Sequence, residues 1–128
     1  MKKLILASAA LIASTVFAAA DAVHGTWKSP TNEDGAYLHV KIDACGSDIC
    51  GVITKVGGGG DTSSVGKQMI WGMKPSGGGV YKGGKVWAPD NDKTYRGKLT
   101  LSGSNMVKIE GCVLGGAVCR GETFSRIN

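Results

Sequence analysis

The run Ala36-Tyr37-Leu38-His39-Val40-Lys41-Ile42-Asp43 alternates without a break. Leu38, Val40 and Ile42 take one side, and Tyr37, His39, Lys41 and Asp43 take the other. A period of two is the signature of a strand with one buried face. Similar runs surround it. His24 to Lys28 comes before, and Cys50 to Val56 follows as its partner. Gln68 to Lys74, Lys85 to Ala88, Thr94 to Leu101, Met106 to Val113 and Val118 to Ile127 bring the set to about eight strands. Turn-forming clusters separate them: Asn32-Glu33-Asp34-Gly35, Gly46-Ser47-Asp48, Asp90-Asn91-Asp92 and Ser102-Gly103-Ser104-Asn105. No window sustains a helical period. Eight short antiparallel strands must hide their edges, and closing the sheet on itself does this best. The expected fold is all-β, a single small antiparallel β-barrel.

Composition agrees. The chain has 128 residues, enough for one domain and too few for a separate cofactor domain. It carries 21 glycines and 3 prolines, more than twice the usual glycine share of about 7%, which makes a helical bundle improbable. Residues 1–22 read as an export signal. Lys2 and Lys3 form a positive start, Leu4 to Phe17 an apolar run, and small residues follow at two cleavage patterns, after Ala20 and after Ala22. The apolar run is shorter than the ~20 residues a membrane span needs. The barrel domain is then 23–128. The formal charge of +5 rests on 15 Lys and Arg against 10 Asp and Glu. Removing Lys2 and Lys3 leaves 13 against the same 10, or +3; a cut after Ala22 also removes Asp21 and gives +4. That surplus is mild, the expected location is the periplasm or outside the cell, and nucleic acid is not an expected partner. No further apolar run of spanning length follows.

All four cysteines, Cys45, Cys50, Cys112 and Cys119, lie beyond the signal. An even count in a small exported chain indicates disulfides. A two-residue turn at Gly115-Gly116 would place Val113 opposite Val118 and Cys112 opposite Cys119, and glycine suits the positive φ of such a turn. Cys45 and Cys50 flank the short Gly46 to Ile49 loop. The expected pairs are Cys45–Cys50 and Cys112–Cys119, each stapling one hairpin. In the second, a hydrogen-bonded register would hold the two cysteines too far apart, and a bulge would resolve it. A four-cysteine zinc site is the rival, but the Cys112/Cys119 spacing exceeds the usual two to four residues.

Reaction chemistry is sparse. Gly60 to Gln68 imitates a phosphate loop but has one residue too many between its glycines and Gln68 in place of the metal-binding hydroxyl. No Gly-x-Ser-x-Gly occurs. His39, Asp90 and Asp92 are the only acid–base candidates, with His39 on the polar face of its strand and both aspartates in a turn sequence. No enzyme, metal or cofactor is expected. The one suggestive grouping is aromatic and basic: Trp71, Tyr81, Trp87 and Tyr95 interleaved with Lys74, Lys82, Lys85 and Arg96. From it, Trp71, Trp87, Tyr95 and Arg96 are taken as candidate ligand-binding residues. An ordinary core with solubilising lysines around it explains the same pattern.

Gly25-Thr26-Trp27 near the start and Arg126 near the end resemble the calycin and lipocalin signature, in which the arginine stacks on the tryptophan and closes the barrel end. A broader resemblance is to the domain of unknown function 2147 family, small exported bacterial proteins. It rests on Gly25-Thr26-Trp27, Cys50-Gly51-Val52-Ile53, Gly83-Gly84 leading into Trp87-Ala88-Pro89-Asp90, Lys93-Thr94-Tyr95, Gly111-Cys112 and Phe124-Ser125-Arg126, in that order. Asp92 stands where that family usually has glycine, Phe124 where tryptophan is common, and the Asn-Pro expected after Asp61 is missing. The resemblance implies an exported calycin-like barrel and carries no activity with it. The expected function is non-enzymatic binding of a small apolar or amphipathic ligand. The alternative is an envelope interaction or stress module with a packed barrel, partnered by an envelope component. A lumen filled with side chains would remove the first reading.

Overall fold

The computed structural model describes residues 21–128; the expected export signal, residues 1–22, lies outside the described residues except for Asp21 and Ala22. Eight strands follow in order: β1 Gly25–Lys28, β2 Tyr37–Cys45, β3 Asp48–Gly57, β4 Gln68–Gly77, β5 Val80–Ala88, β6 Lys93–Ser102, β7 Met106–Val113 and β8 Val118–Arg126. Each pairs antiparallel with its neighbour, and β1 pairs with β8, so the sheet closes into a barrel. The expected all-β barrel is the observed one. Strand five is longer than the sequence suggested, because Gly83 and Gly84 sit inside it at a register shift rather than ending it.

Closure separates two ends. Hairpin turns at Gly46, Gly78 and Gly103 and both ends of the described chain gather at one, while the longer β1–β2, β3–β4, β5–β6 and β7–β8 loops rim the other. The turn-side half is solid. Val23, Trp27, Val40, Ile42, Ile53, Ile70, Met73, Leu99 and Val107 are all fully buried there. Gly97 makes room for it, since a Cβ at that position would collide with the Met73 methyl and lie 2.7 Å from Val86.

Residues ahead of β1 finish this closed end. Val23 is fully buried, and its carbonyl accepts the Trp27 indole N–H at 2.9 Å. Arg126 lies opposite Trp27 in the β1–β8 register, its guanidinium carbon 4.3 Å from the ring centroid. The same guanidinium donates to the carbonyls of Ser104 (2.7 Å), His24 (2.8 Å) and Ala22 (2.6 Å). Tyr81, inside the barrel wall, donates its hydroxyl to the Asp21 carboxylate. Its phenol is pushed up to about 12, first by burial and then by that hydrogen bond and the Asp21 charge.

Both disulfides staple hairpins, Cys45–Cys50 across β2–β3 and Cys112–Cys119 across β7–β8. The thiolates a zinc site would need are therefore consumed. Cys112 and Cys119 face each other directly with Cα atoms 4.0 Å apart, the narrow spacing of a non-hydrogen-bonded pair. No bulge is required. The connecting turn is longer than a two-residue one: Leu114 to Gly116 form a 3-10 turn, with positive φ at Leu114 (53°), Gly115 (67°) and Gly116 (95°).

Candidate binding cavity

The loop-side half of the barrel is hollow. A cavity of about 880 Å³ opens there, within the range of about 300–1,000 Å³ typical of small-molecule sites. Leu38, Val56, Met69, Val86, Ile109 and Phe124 give it apolar walls. These are the inward positions of β2 to β8 above the packed layer, so the binary pattern that builds the core also lines the cavity. Gly111 widens it. A Cβ there would lie 2.9 Å from that of Tyr95, whose ring covers the glycine from the neighbouring strand.

Polar groups gather toward the rim. Asp61, Asp90, Asn91, Arg120 and Glu122 all line the cavity. Arg120 and Glu122 reach inward because they share the face of buried Phe124 on β8, whose register with β7 runs without a shift. Asp61 caps the 3-10 turn Thr62–Ser64 by accepting the Ser63 N–H at 2.9 Å. Hydrogen bonds from the Ser63 side chain and backbone hold the Asp61 carboxyl below the usual carboxylate range. Three carboxylates and one guanidinium therefore line the mouth. Among exposed apolar residues, Val113 (45%) and Val118 (39%) stand at the same rim.

The wall is also parted on one side. Among the described residues, the β1–β8 ladder holds only Trp27↔Arg126 and Lys28↔Ser125. Above Lys28 the chain turns away, and the cavity runs between Ser29, Pro30 and Asn32 on one flank and Arg120 to Glu122 on the other.

The candidates read from sequence fall on both sides of the wall. Tyr95 lines the cavity. Arg96, the next residue, points outward, lines a separate outer groove and donates to the Gly115 carbonyl at 3.0 Å. Trp71 pairs with outward Lys85 and so lies on the outer face. Trp87 is half-buried and packed against the core, donating its indole N–H to Asp92 at 2.8 Å beneath the Lys67 ammonium, 4.8 Å from the ring. The acid–base candidates do not meet: Asp90 lines the cavity, Asp92 is held by Trp87, and His39 lies against the Tyr37 ring at 5.6 Å. Burial, and then the nearby Lys55 and Lys28 ammonium groups, lower the His39 pKa. Sequence reasoning missed Arg120 and Glu122, although counting back in twos from Phe124 along the last strand would have found them.

The family described as "Uncharacterized protein conserved in bacteria (DUF2147)" matches residues 25–126, the whole barrel from the first strand to Arg126. No curated protein matches the chain. One similar solved structure is protein HP1028 from the human pathogen Helicobacter pylori, described as belonging to the lipocalin family. It aligns with a TM-score of 0.67 and 12% identity over 83% of each chain. At that identity the likeness is one of fold, and it matches the closed eight-strand barrel.

Proposed function

This chain belongs to the DUF2147 family of bacterial proteins, and we propose that it is a non-enzymatic barrel that binds a small apolar or amphipathic ligand. The observation that carries this reading is the division of the lumen, side chains filling one half and a cavity of about 880 Å³ the other. An apolar body would sit against Leu38, Met69, Ile109 and Phe124, its burial contributing roughly 25 cal/mol per Å². Three carboxylates against one guanidinium at the rim favour a polar head that is uncharged or cationic. Native mass spectrometry of protein recovered from its own periplasm, without reductant, tests this. A reproducible extra mass lost on denaturation supports it; the bare mass of the oxidised chain counts against it.

We further propose export to the periplasm or beyond, with cleavage after Ala20 rather than Ala22. Two disulfides suit an oxidising compartment. Asp21 and Ala22 behave as part of the folded domain: one accepts the Tyr81 hydroxyl, the other a bond from Arg126. A cut after Ala22 would remove both acceptors. The intact mass of the processed protein distinguishes an Asp21 start from a Val23 start, and an unprocessed chain would overturn the export reading itself.

A further inference from the structure

The outer wall of β4, β5 and β6 carries a concentration of positive charge that the fold does not need. Lys74 stands directly opposite Lys82, Lys82 opposite Lys98, and Lys85 opposite Arg96. Like charges placed opposite each other destabilise a sheet, and here three successive cross-strand pairs do so. Asp48, ion-paired with Lys74, and Glu110, opposite Lys98, are the acids beside them. Glu110 is itself ion-paired with Lys108 at 3.7 Å. Counting Lys108, six cations against two acids leave +4 on this face. That exceeds the +3 surplus of the whole chain from Asp21 onward, 13 Lys and Arg against 10 Asp and Glu.

The face is also concave. Lys74, Lys82, Lys85 and Arg96 surround a groove of about 540 Å³ floored by Gly83 and Gly84. Trp71 lies on the same face, opposite Lys85. At its upper end, Arg96 holds the Gly115 carbonyl and thereby fixes the β7–β8 turn beside the groove. That turn presents Leu114, 77% exposed and at φ 53°. A positive φ is disfavoured at leucine, and the side chain so displayed is left largely to solvent.

We propose that this face docks on an anionic lipid bilayer, with the β4–β6 cations on the headgroups, Trp71 at headgroup depth and Leu114 inserted at the edge. A soluble polyanion would use the cations alone. A bilayer uses both features, since lysine and arginine are attracted to the charged surface and tryptophan and leucine partition into its boundary. The docking does not depend on an occupied cavity. It would set the barrel down on its side, leaving the parted seam between the β1–β2 loop and β8 free.

Flotation of the oxidised full domain with phosphatidylglycerol vesicles, against phosphatidylcholine vesicles, tests the assignment. Binding to the anionic vesicles is expected, and to fall as ionic strength rises from about 0.01 to about 0.15 M. The variant K82Q/K85Q/K98Q leaves the Lys74 and Arg96 contacts intact. It should weaken binding roughly 100-fold, about fivefold per cation, and should melt no lower than the parent because it relieves like-charge pairs. K41Q/K55Q/K93Q removes as much charge elsewhere and should bind within about threefold of the parent. Leu114→Ser should weaken binding about tenfold in a salt-independent way. Equal flotation with both lipids, undiminished binding by K82Q/K85Q/K98Q, or an indifferent Leu114→Ser would each overturn the proposal. So would capture by soluble polyphosphate without flotation.

Discussion

Replacing Arg126 with alanine removes one side chain from four interactions at the closed end. The guanidinium donates to the carbonyls of Ala22, His24 and Ser104 at 2.6 to 2.8 Å and stacks on Trp27 at 4.3 Å. A hydrogen bond from a charged donor contributes about 1.5–3 kcal/mol net, but Arg126 is half-buried and water can reclaim part of what is lost. About 1 kcal/mol per bond is therefore the appropriate scale, with a further ~1 kcal/mol for the stacked cation. Freeing the arginine side chain returns roughly 1.5 kcal/mol of rotamer entropy. The net loss is about 2–3 kcal/mol, and in a domain of this size each kcal/mol moves Tm by roughly 4–8 °C. Thermal unfolding followed by circular dichroism should thus fall by about 10–20 °C. Arg126→Lys keeps a cation over Trp27 but only one of the three bonds, and should lose about half as much. Hydrogen exchange should show Val23 and His24 losing protection in Arg126→Ala before the strands do. A melting point within about 3 °C of the parent, or a lysine variant no better than alanine, would refute the reasoning that this fork holds the N-terminal segment.

Tyr81 should be the last of the three tyrosines to ionise, near pH 12, when phenolate absorbance is followed in alkali. Its folded pKa is raised from 10.0, so the stability it contributes is complete below pH 10 and is lost as pH rises through 12, at most roughly 3 kcal/mol; Asp21→Asn should bring the ionisation down. Replacing Cys112 and Cys119 by serine reopens a loop seven residues in separation and should cost about 2–3 kcal/mol in denaturant unfolding; a change under 1 kcal/mol would make that staple dispensable. Gly97→Ala should destabilise by about 1–3 kcal/mol through overpacking on Met73 and Val86. Met73→Ala in the same chain should recover part of that loss.

The barrel was readable because its strands obey a period of two and its turns carry the residues turns require. The hairpin staples were readable because Cys112 and Cys119 sit symmetrically about Gly115-Gly116. The site was less so, for a specific reason. The face on which an aromatic lands depends on every bulge before it. Gly72 takes a positive φ of 70° between Trp71 and Met73, and the β5–β6 register slips between Lys82 and Lys85. Those two irregularities let Tyr81 and Val86 both turn inward while Trp71 turns out opposite Lys85. Counting in twos across either glycine assigns the wrong wall. On β8, where no slip intervenes, the same count places Arg120 and Glu122 correctly.

The two ends of the barrel answer to different constraints. At the closed end a fully buried Val23 and Trp27, the Arg126 fork and the Tyr81–Asp21 bond converge on a few residues just ahead of β1 and at the end of β8. At the open end the strands run past their packed layer, and β1 stops after four residues. A barrel selected only to be stable would extend β1 and fill the lumen, because each added buried methylene contributes about 0.8 kcal/mol. This chain instead stops the strand at Lys28 and places Arg120 and Glu122 on an inward face. It then ties the hairpin behind them with a disulfide that keeps the rim in place around the cavity. Stability concentrated at one end is what allows the other to remain hollow.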